Sequence, residues 1–337
     1  MKRERVDVYD IAKGIGIICI VLGHLLHIIP REDPMYMFIY NFHVPLFILV
    51  SGCVMKVEGI SFREYVSKRF TGIVIPYVVA SIFAILHLAV PQGGYWIHFD
   101  SILIGTAQGG GLSYNVALWY CTMIFVACVW FYLIATLADK TKKKEIILPV
   151  LVLVSAVIGY LLVVYEIRLP WNVETALIAQ IFLYAGYKIK GLIKNTYEKK
   201  TYLYIAIAFV VLSIIYMFTF WRNGLVDMNN GVYYNVPLYL LNAGVGIALV
   251  FLVSILIRRI PGVWHVLAYL GRNSLYIMLF HLPAVTFAQG RIVGYLPEIV
   301  QNHFNSRDII GITYWVVVSI LFSLFWGYVY KAIMKTK

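Results

Sequence analysis

The first apolar segment of the chain is Asp10-Ile-Ala-Lys13-Gly14-Ile-Gly-Ile-Ile-Cys-Ile-Val-Leu-Gly-His24. Lys13 and His24 are eleven residues apart. In a helix this is about three turns, so both side chains lie on one face, roughly 16 Å apart along the axis. In a membrane helix such a pair is costly unless it lines a polar path or meets a partner. The spacing therefore indicates a functional first helix.

Composition places the whole chain in the membrane. It has 337 residues, of which 61% are hydrophobic and 13% charged, and its mean hydropathy is +0.82. Such values are typical of an all-α, polytopic integral membrane protein. The apolar windows predict about ten transmembrane helices, at residues 11–29, 38–55, 72–90, 117–137, 146–165, 172–190, 202–221, 236–257, 266–286 and 311–330.

The distribution of basic residues predicts the orientation. The segments between the windows alternate, with 22 Lys and Arg on one side of the membrane and five on the other. By the positive-inside rule, both termini are cytoplasmic. We therefore expect residues 1–337 to form a single transmembrane domain of a multi-pass plasma-membrane protein. Because the basic residues are clustered between apolar segments, they serve orientation, and we expect no nucleic-acid partner.

Four histidines have a common predicted depth. Counted from the window ends, His24, His43, His87 and His281 each lie within ~10 Å of the outer boundary at 1.5 Å per residue. Titratable side chains inside spans face the protein interior or water. The pattern therefore favours an outward-facing cavity lined by imidazoles. The plainer interpretation, that each histidine only bonds a neighbouring helix, applies to His281 in particular.

Basic side chains gather at the opposite boundary. Lys13, Lys68, Arg69 and Arg272 lie at or just inside the predicted cytoplasmic side. Each alone is explained by topology and by snorkelling of its side chain to the interface. Together they would form an anion site suited to phosphates. A donor with a phosphorylated head and a long, thin arm would fit a basic inner pocket and an outer histidine layer.

Short motifs follow one another along nearly the whole chain: Asp10-x-x-Lys13-Gly14 with His24, Asn41-Phe-His43-Val-Pro45-Leu-Phe47 with Ser51-Gly52, Lys68-Arg69 before Pro76-Tyr77, Leu118-Trp119-Tyr120, Leu169-Pro170-Trp171-Asn-Val-Glu174, and Gly271-Arg-Asn-Ser274-Leu275-Tyr276 with His281. As an ordered set they resemble the membrane acyltransferase-3 family, in its fucose 4-O-acetylase-like branch. The chain departs from the family pattern at Lys13, where Arg is common, and at Glu174, where Asp is usual.

The resemblance implies a membrane O-acetyltransferase. Such an enzyme moves an acetyl group from acetyl-CoA, or another acyl group from its acyl-CoA, to a hydroxyl of a glycan, a lipid-linked sugar or another cell-envelope component. His24 would be the catalytic histidine, with Lys13 and Arg69 on the donor side. Beside them we assign His43, Tyr276 and His281 to catalysis, Lys68 and Arg272 to the donor, and Trp119, Trp171, Glu174, Asp227 and Asn235 to the acceptor. We expect membrane lipid as a partner and no metal; a homodimer is left open.

Two other functions remain open from the residues alone. A proton-coupled exporter of a sugar or an acyl-modified polysaccharide would also have about ten spans and intramembrane ionisable groups. Paired, discontinuous helices in the two halves would favour it. A metal transporter using His24, His43 and His281 would need acidic partners deep in the spans, and Glu174 is the only acidic residue near that layer.

Overall fold

The structure, a computed structural model, confirms an all-helical membrane protein. It describes residues 7–25, 34–89, 99–106, 112, 115–198, 202–291, 293–295, 298, 301–302 and 309–335. Within these residues, extended pairing is confined to one isolated bridge, between Asp227 and Val232. Eight helices in the same part of the chain are long and apolar enough to cross a membrane.

The helices form in the order that the apolar windows predict. In chain order they are α1 (Asp7–Leu25), α2 (Pro34–Tyr40), α3 (His43–Cys53), α4 (Phe62–Arg69), α5 (Ile75–Ala84), α6 (Phe99–Ile104), α7 (Trp119–Asp139), α8 (Lys144–Val164), α9 (Val173–Ile178), α10 (Gln180–Glu198), α11 (Tyr202–Asn223), α12 (Val236–Ile257), α13 (Val263–Arg272), α14 (Ser274–Arg291) and α15 (Ile309–Lys335). A π-helical turn, Phe70–Val74, joins α4 to α5, so the third span begins earlier than predicted, at Phe62.

Three of the predicted spans are interrupted. The window at 38–55 divides into α2 and α3, the window at 172–190 into α9 and α10, and the window at 266–286 into α13 and α14. At the last break the side-chain amide of Asn273 donates to the carbonyl of Tyr269, 2.9 Å away. Asparagine side chains compete in this way for backbone groups and favour helix ends. A hydropathy window averages over a break of one residue and so does not detect it.

The chain forms two compact units. Unit 1 comprises Met1–His43, Thr201–Val226 and Tyr234–Lys337, and unit 2 comprises Val44–Lys200 and Asp227–Tyr233. The expectation of one domain over residues 1–337 stays a prediction. What the structure adds is that each unit is assembled from segments distant in sequence.

In unit 1, α1 packs against α13 through two glycines. A Cβ added to Gly14 would lie 2.1 Å from the carbonyl oxygen of Leu267, and one added to Gly271 would lie 1.8 Å from that of Asp10. Both distances are far below van der Waals contact, so only glycine permits this approach. Small residues are the usual means by which membrane helices pack closely. The contact fixes the end of α1 that carries Lys13.

Unit 2 uses the same device between α3 and α10. An added Cβ would lie 2.2 Å from the Leu183 carbonyl oxygen at Gly52 and 2.0 Å from the Leu49 carbonyl oxygen at Gly186. Gly52 belongs to the Ser51-Gly52 motif and Gly186 follows the α9–α10 break. These glycines are therefore explained by helix packing in the structure.

Candidate active site

Two of the predicted histidines are in direct contact in unit 1. His24 lies one residue before the end of α1, and His281 lies in α14. The Nδ1 atom of His24 is 2.8 Å from the Nε2 atom of His281, and the two ring centroids are 4.9 Å apart. The sequence predicted a common depth for the two residues, and the structure shows that they are partners although 257 positions separate them.

The two rings differ in exposure. His281 is 1% exposed, whereas His24 is only half-buried. The Nδ1 atom of His281 also lies 3.0 Å from the carbonyl oxygen of Ile277 and 2.9 Å from that of Met278. His281 is therefore held by its own helix, and His24 is the member of the pair that a substrate can reach.

An aromatic group lies against Gly23, the residue before His24. A Cβ added to Gly23 would lie 2.9 Å from a ring atom of Tyr40, which places α2 against α1 at this level. The Tyr40 ring stacks on Tyr36, with centroids 3.8 Å apart, and meets His43 edge-on at 4.6 Å. His43 is buried, and its Nδ1 lies 2.9 Å from the carbonyl oxygen of Ile39. His43 therefore supports the α2–α3 turn.

His87 and Tyr276 lie in other surroundings. His87 is exposed and stacks on Phe83, with centroids 4.0 Å apart. Tyr276 lies on the face of α14 that packs against α15, where a Cβ added to Gly327 would be 2.6 Å from its own Cβ. Its other neighbours are Tyr330 and the ammonium of Lys331, 4.4 Å from the ring centroid. The structure therefore does not bring Tyr276 to the histidine pair.

The basic residues of unit 1 are not equivalent. Lys13 is partly exposed and pairs with Asp10 on the same helix, Nζ to Oδ1 2.8 Å. Arg272 is exposed at the end of α13, next to the Gly271 that contacts Asp10. Lys331, which sequence reasoning missed, donates to Asn273 Oδ1 at 2.6 Å. Asn273 lies within the Gly271–Ser274 motif, and this was the available signal.

In unit 2, Arg69 is directed inward and Lys68 outward. The Lys68 side chain is 67% exposed and pairs with Glu64 at 2.6 Å. The Arg69 guanidinium lies 5.4 Å from the centroid of the Tyr65 ring, with Cys128 and Tyr120 as further neighbours. Among the residues that the structure describes, no carboxylate pairs with Arg69. It is thus a cation among neutral groups.

Two of the predicted acceptor residues, Trp171 and Glu174, lie where the tightly bonded segment between α8 and α9 of unit 2 leads into α9. Glu174 is 1% exposed; its carboxylate accepts from the Leu169 amide at 3.2 Å and faces Arg168 NH1 at 3.5 Å. Trp171 and Asn172 have positive φ angles of 61° and 53°, a strained conformation for residues other than glycine. The strain is offset by anchoring bonds, since the Trp171 indole donates to the Leu103 carbonyl at 2.7 Å.

The remaining acceptor candidates have local structural partners. Trp119 begins α7 and is buried. Asp227 accepts from both the backbone and the side-chain nitrogens of Asn230, at 3.1 and 2.6 Å. Asn235 caps α12 by accepting from the Leu238 amide at 2.9 Å. Of the five, Trp171 and Asn235 have side chains that are both hydrogen-bonded and accessible.

A buried triad of asparagines in unit 1 was not predicted. Asn223 and Asn242 both donate to Asn41 Oδ1, at 3.1 and 3.3 Å, and all three are at most 2% exposed. The side-chain oxygens of Asn223 and Asn242 have no hydrogen-bond partner among the described residues. The available signal was Asn41, which opens the Asn41-Phe-His43 motif.

Comparison with known proteins agrees with the motifs. The profile of a family described as an acyltransferase domain matches residues 6–331. The nodulation protein NolL of Sinorhizobium fredii (strain NBRC 101917 / NGR234) is 32% identical over 114 residues, which cover 29% of this chain and 31% of that protein. The chain thus spans less than a third of the length of this curated relative. No solved structure matches the chain.

Proposed function

Because this chain belongs to the acyltransferase-3 family, whose domain covers residues 6–331, we propose that it is a membrane O-acetyltransferase. It takes acetyl from cytosolic acetyl-CoA and transfers it to a hydroxyl of an extracytoplasmic glycan or another envelope component, at the plasma membrane. The observation that carries the proposal is the contact of 2.8 Å between His24 and His281. It makes one accessible imidazole part of an ordered pair at the end of a membrane helix.

His24 acts as the general base in this reaction. It accepts the proton of the acceptor hydroxyl while the hydroxyl oxygen forms a bond to the thioester carbonyl carbon. The carbon–sulfur bond then breaks, and the proton passes to the departing thiolate, so that the products are an acetyl ester and CoA. General-base catalysis of this kind contributes about 10²–10⁴ in rate. Attack by His24 itself, through a transient acetyl-histidine, gives the same products.

Each unit offers a cation that suits the phosphates of the donor. Arg69, which has no acidic partner in the described part of the chain, suits a phosphate because a guanidinium presents a fork of donors to an anion. Lys13 offers a single charge, held by Asp10. Along α1, Lys13 and His24 are roughly 16 Å apart, a length comparable to the pantetheine arm. That spacing lets one helix serve both the head and the thioester of the donor.

The acceptor is a sugar that binds at the segment between α8 and α9 in unit 2. Trp171 would supply a ring face, which is how an indole binds a sugar, and its position is fixed by the bond to Leu103. Glu174, Asp227, Asn235 and Trp119 were assigned to the acceptor from the sequence. The bonds of Glu174 and Asp227 support a role in shaping unit 2, whereas Asn235 caps α12 in unit 1.

An exporter is the second candidate, and one observation favours it. Within the described residues, both units contain an interrupted helix, for example α9–α10 in unit 2 and α13–α14 in unit 1. Discontinuous helices in two halves are a feature of secondary transporters. The two candidates differ in their chemistry, since only an enzyme consumes the thioester.

The test is to supply labelled acetyl-CoA to inverted membrane vesicles from cells that make the protein. The proposal expects release of free CoA and an alkali-labile label on an envelope component. His24→Ala should abolish both, with a normal amount of protein in the membrane, while the matched variant His87→Ala should retain them. Transfer by the His24→Ala protein would refute the assignment of the base. Export of an acylated polymer without release of CoA would favour the exporter.

A further inference from the structure

We propose that His281 is a positioning residue that fixes the tautomer of His24 and thereby directs its basic nitrogen to the substrate. The inference rests on the proposed function and goes beyond it, because it assigns separate roles to the two histidines. His24 meets the reacting atoms, whereas His281, 1% exposed, acts only through His24. In each ring, the nitrogen that carries the hydrogen determines which nitrogen is basic.

The first step concerns His281. Its Nδ1 lies within 3.0 Å of two carbonyl oxygens, those of Ile277 and Met278. A carbonyl oxygen can only accept, so Nδ1 of His281 must carry a hydrogen and donate it. In a neutral imidazole the other nitrogen then has a lone pair. Nε2 of His281 is therefore an acceptor, and it faces His24.

The second step concerns His24. Its Nδ1 is 2.8 Å from the lone pair on Nε2 of His281. Two lone pairs repel at this distance, so Nδ1 of His24 carries the hydrogen and donates it. In this tautomer the lone pair that can accept a proton is on Nε2 of His24. The hydrogen bond made by one nitrogen of a histidine decides which nitrogen is basic, and here the backbone of α14 decides it through a second ring.

The pair also fixes the direction of the ring. The two rings are nearly parallel, with 24° between their planes, and Ile277 and Met278 are themselves buried. A triad in which a carboxylate orients a histidine works by the same principle. In this chain a neutral imidazole bonded to backbone carbonyls takes the place of the carboxylate, which avoids placing a charge in the membrane interior.

A spectroscopic experiment tests the inference directly. The full-length protein is labelled with ¹⁵N-histidine, and the His24 signals are assigned by comparison with His24→Asn. The wild type should show one tautomer at His24, with hydrogen on Nδ1 and none on Nε2. His281→Leu should show a mixture of tautomers. Hydrogen on Nε2 of His24 in the wild type, or no change in the variant, would overturn the inference.

Kinetics give a second test. In the vesicle assay with labelled acetyl-CoA, His281→Leu should lower kcat by about 10²–10⁴-fold, which is the rate contribution of a general base. It should change KM for acetyl-CoA less than about twofold. His281→Gln, whose side-chain oxygen can accept from Nδ1 of His24, should recover at least about tenfold of the loss. Equal losses in both variants would overturn the inference.

The two tests separate the inference from the function on which it rests. The nitrogen signals are measured without donor or acceptor. They decide the tautomer even if wild-type membranes transfer no acetyl group, a result that would count against the proposed function alone. Normal amounts of both variants in the membrane exclude a general loss of folding as the cause.

Discussion

At the scale of single residues, Lys68 and Arg69 show how adjacent positions on one helix acquire different roles. Their side chains leave the end of α4 in different directions, because successive residues are about 100° apart around a helix. Lys68 is solvated and paired with Glu64. Arg69 lies against Tyr65 and close to Tyr120. Arg69 is half-buried, and such a cation with no carboxylate partner among the described residues is costly unless an anion binds there.

Arg69→Gln should therefore raise KM for acetyl-CoA by about 10- to 100-fold, since a hydrogen bond to a charged group contributes about 1.5–3 kcal/mol. Arg69→Lys should fall between this variant and the wild type, because it keeps the charge and loses the fork. Lys68→Gln is the matched control and should change KM less than about twofold. Initial rates at varied acetyl-CoA concentrations measure all three. An equal effect at both positions would contradict an inward role for Arg69 alone.

At the scale of helices, glycine contacts decide which elements pack together. Gly271 and Gly14 let the backbones of α13 and α1 touch. Gly244, in α12 of the same unit, is exposed, and nothing lies within 4 Å of a Cβ added there. The same substitution should therefore have opposite effects at the two kinds of position.

Gly271→Ala should destabilise the protein by about 1–3 kcal/mol, the usual cost of overpacking, because the new methyl group would meet the backbone of Asp10. Gly244→Ala should be neutral or stabilising by about 0.5–1 kcal/mol, because alanine is the better helix former. Thermal unfolding in detergent compares them. A Gly271→Ala protein with an unchanged midpoint would show that α1 and α13 are not in backbone contact.

The segment that joins α8 to α9 offers a test of a partly buried ion pair. Arg168 faces Glu174 at 3.5 Å and also donates to the Asn230 carbonyl at 2.6 Å. Arg168→Met should destabilise the protein by about 3 kcal/mol, because it strands the Glu174 carboxylate. The double variant Arg168→Met, Glu174→Leu should recover part of this loss. Denaturation of the four proteins of the cycle gives the coupling, and additive effects would mean that the two side chains do not interact.

At the scale of the whole molecule, orientation is the property that the sequence predicts and a fusion can measure. The ratio of 22 to 5 basic residues predicts that both termini are cytoplasmic. Green fluorescent protein fused after Lys337 should therefore fluoresce. Alkaline phosphatase fused after Asn235 should be active, since it folds only outside the cytoplasm. Exchange of the two signals would reverse the predicted topology.

The sequence predicts features that depend on neighbouring residues better than features that depend on contacts between distant segments. Hydropathy located the helices, and helix periodicity placed Lys13 and His24 together on α1, because both are local properties. The contact between His24 and His281 could not be predicted. The position of a residue within a hydropathy window gives its depth in the membrane, but it does not show which distant segments are in contact. The breaks at Ala179 and Asn273 were missed because each occupies one residue. The division into two units rests on contacts between distant segments.

The segment Asp227–Tyr233 completes unit 2 although the chain on both sides of it belongs to unit 1. Arg168 donates to the carbonyl of Asn230, and Thr175 donates to that of Met228 at 3.2 Å. During synthesis, both donors leave the ribosome more than fifty residues before their acceptors. Because α11 precedes Met228 and Asn230 in the chain, these two hydrogen bonds of unit 2 can form only after all of α11 has been synthesised.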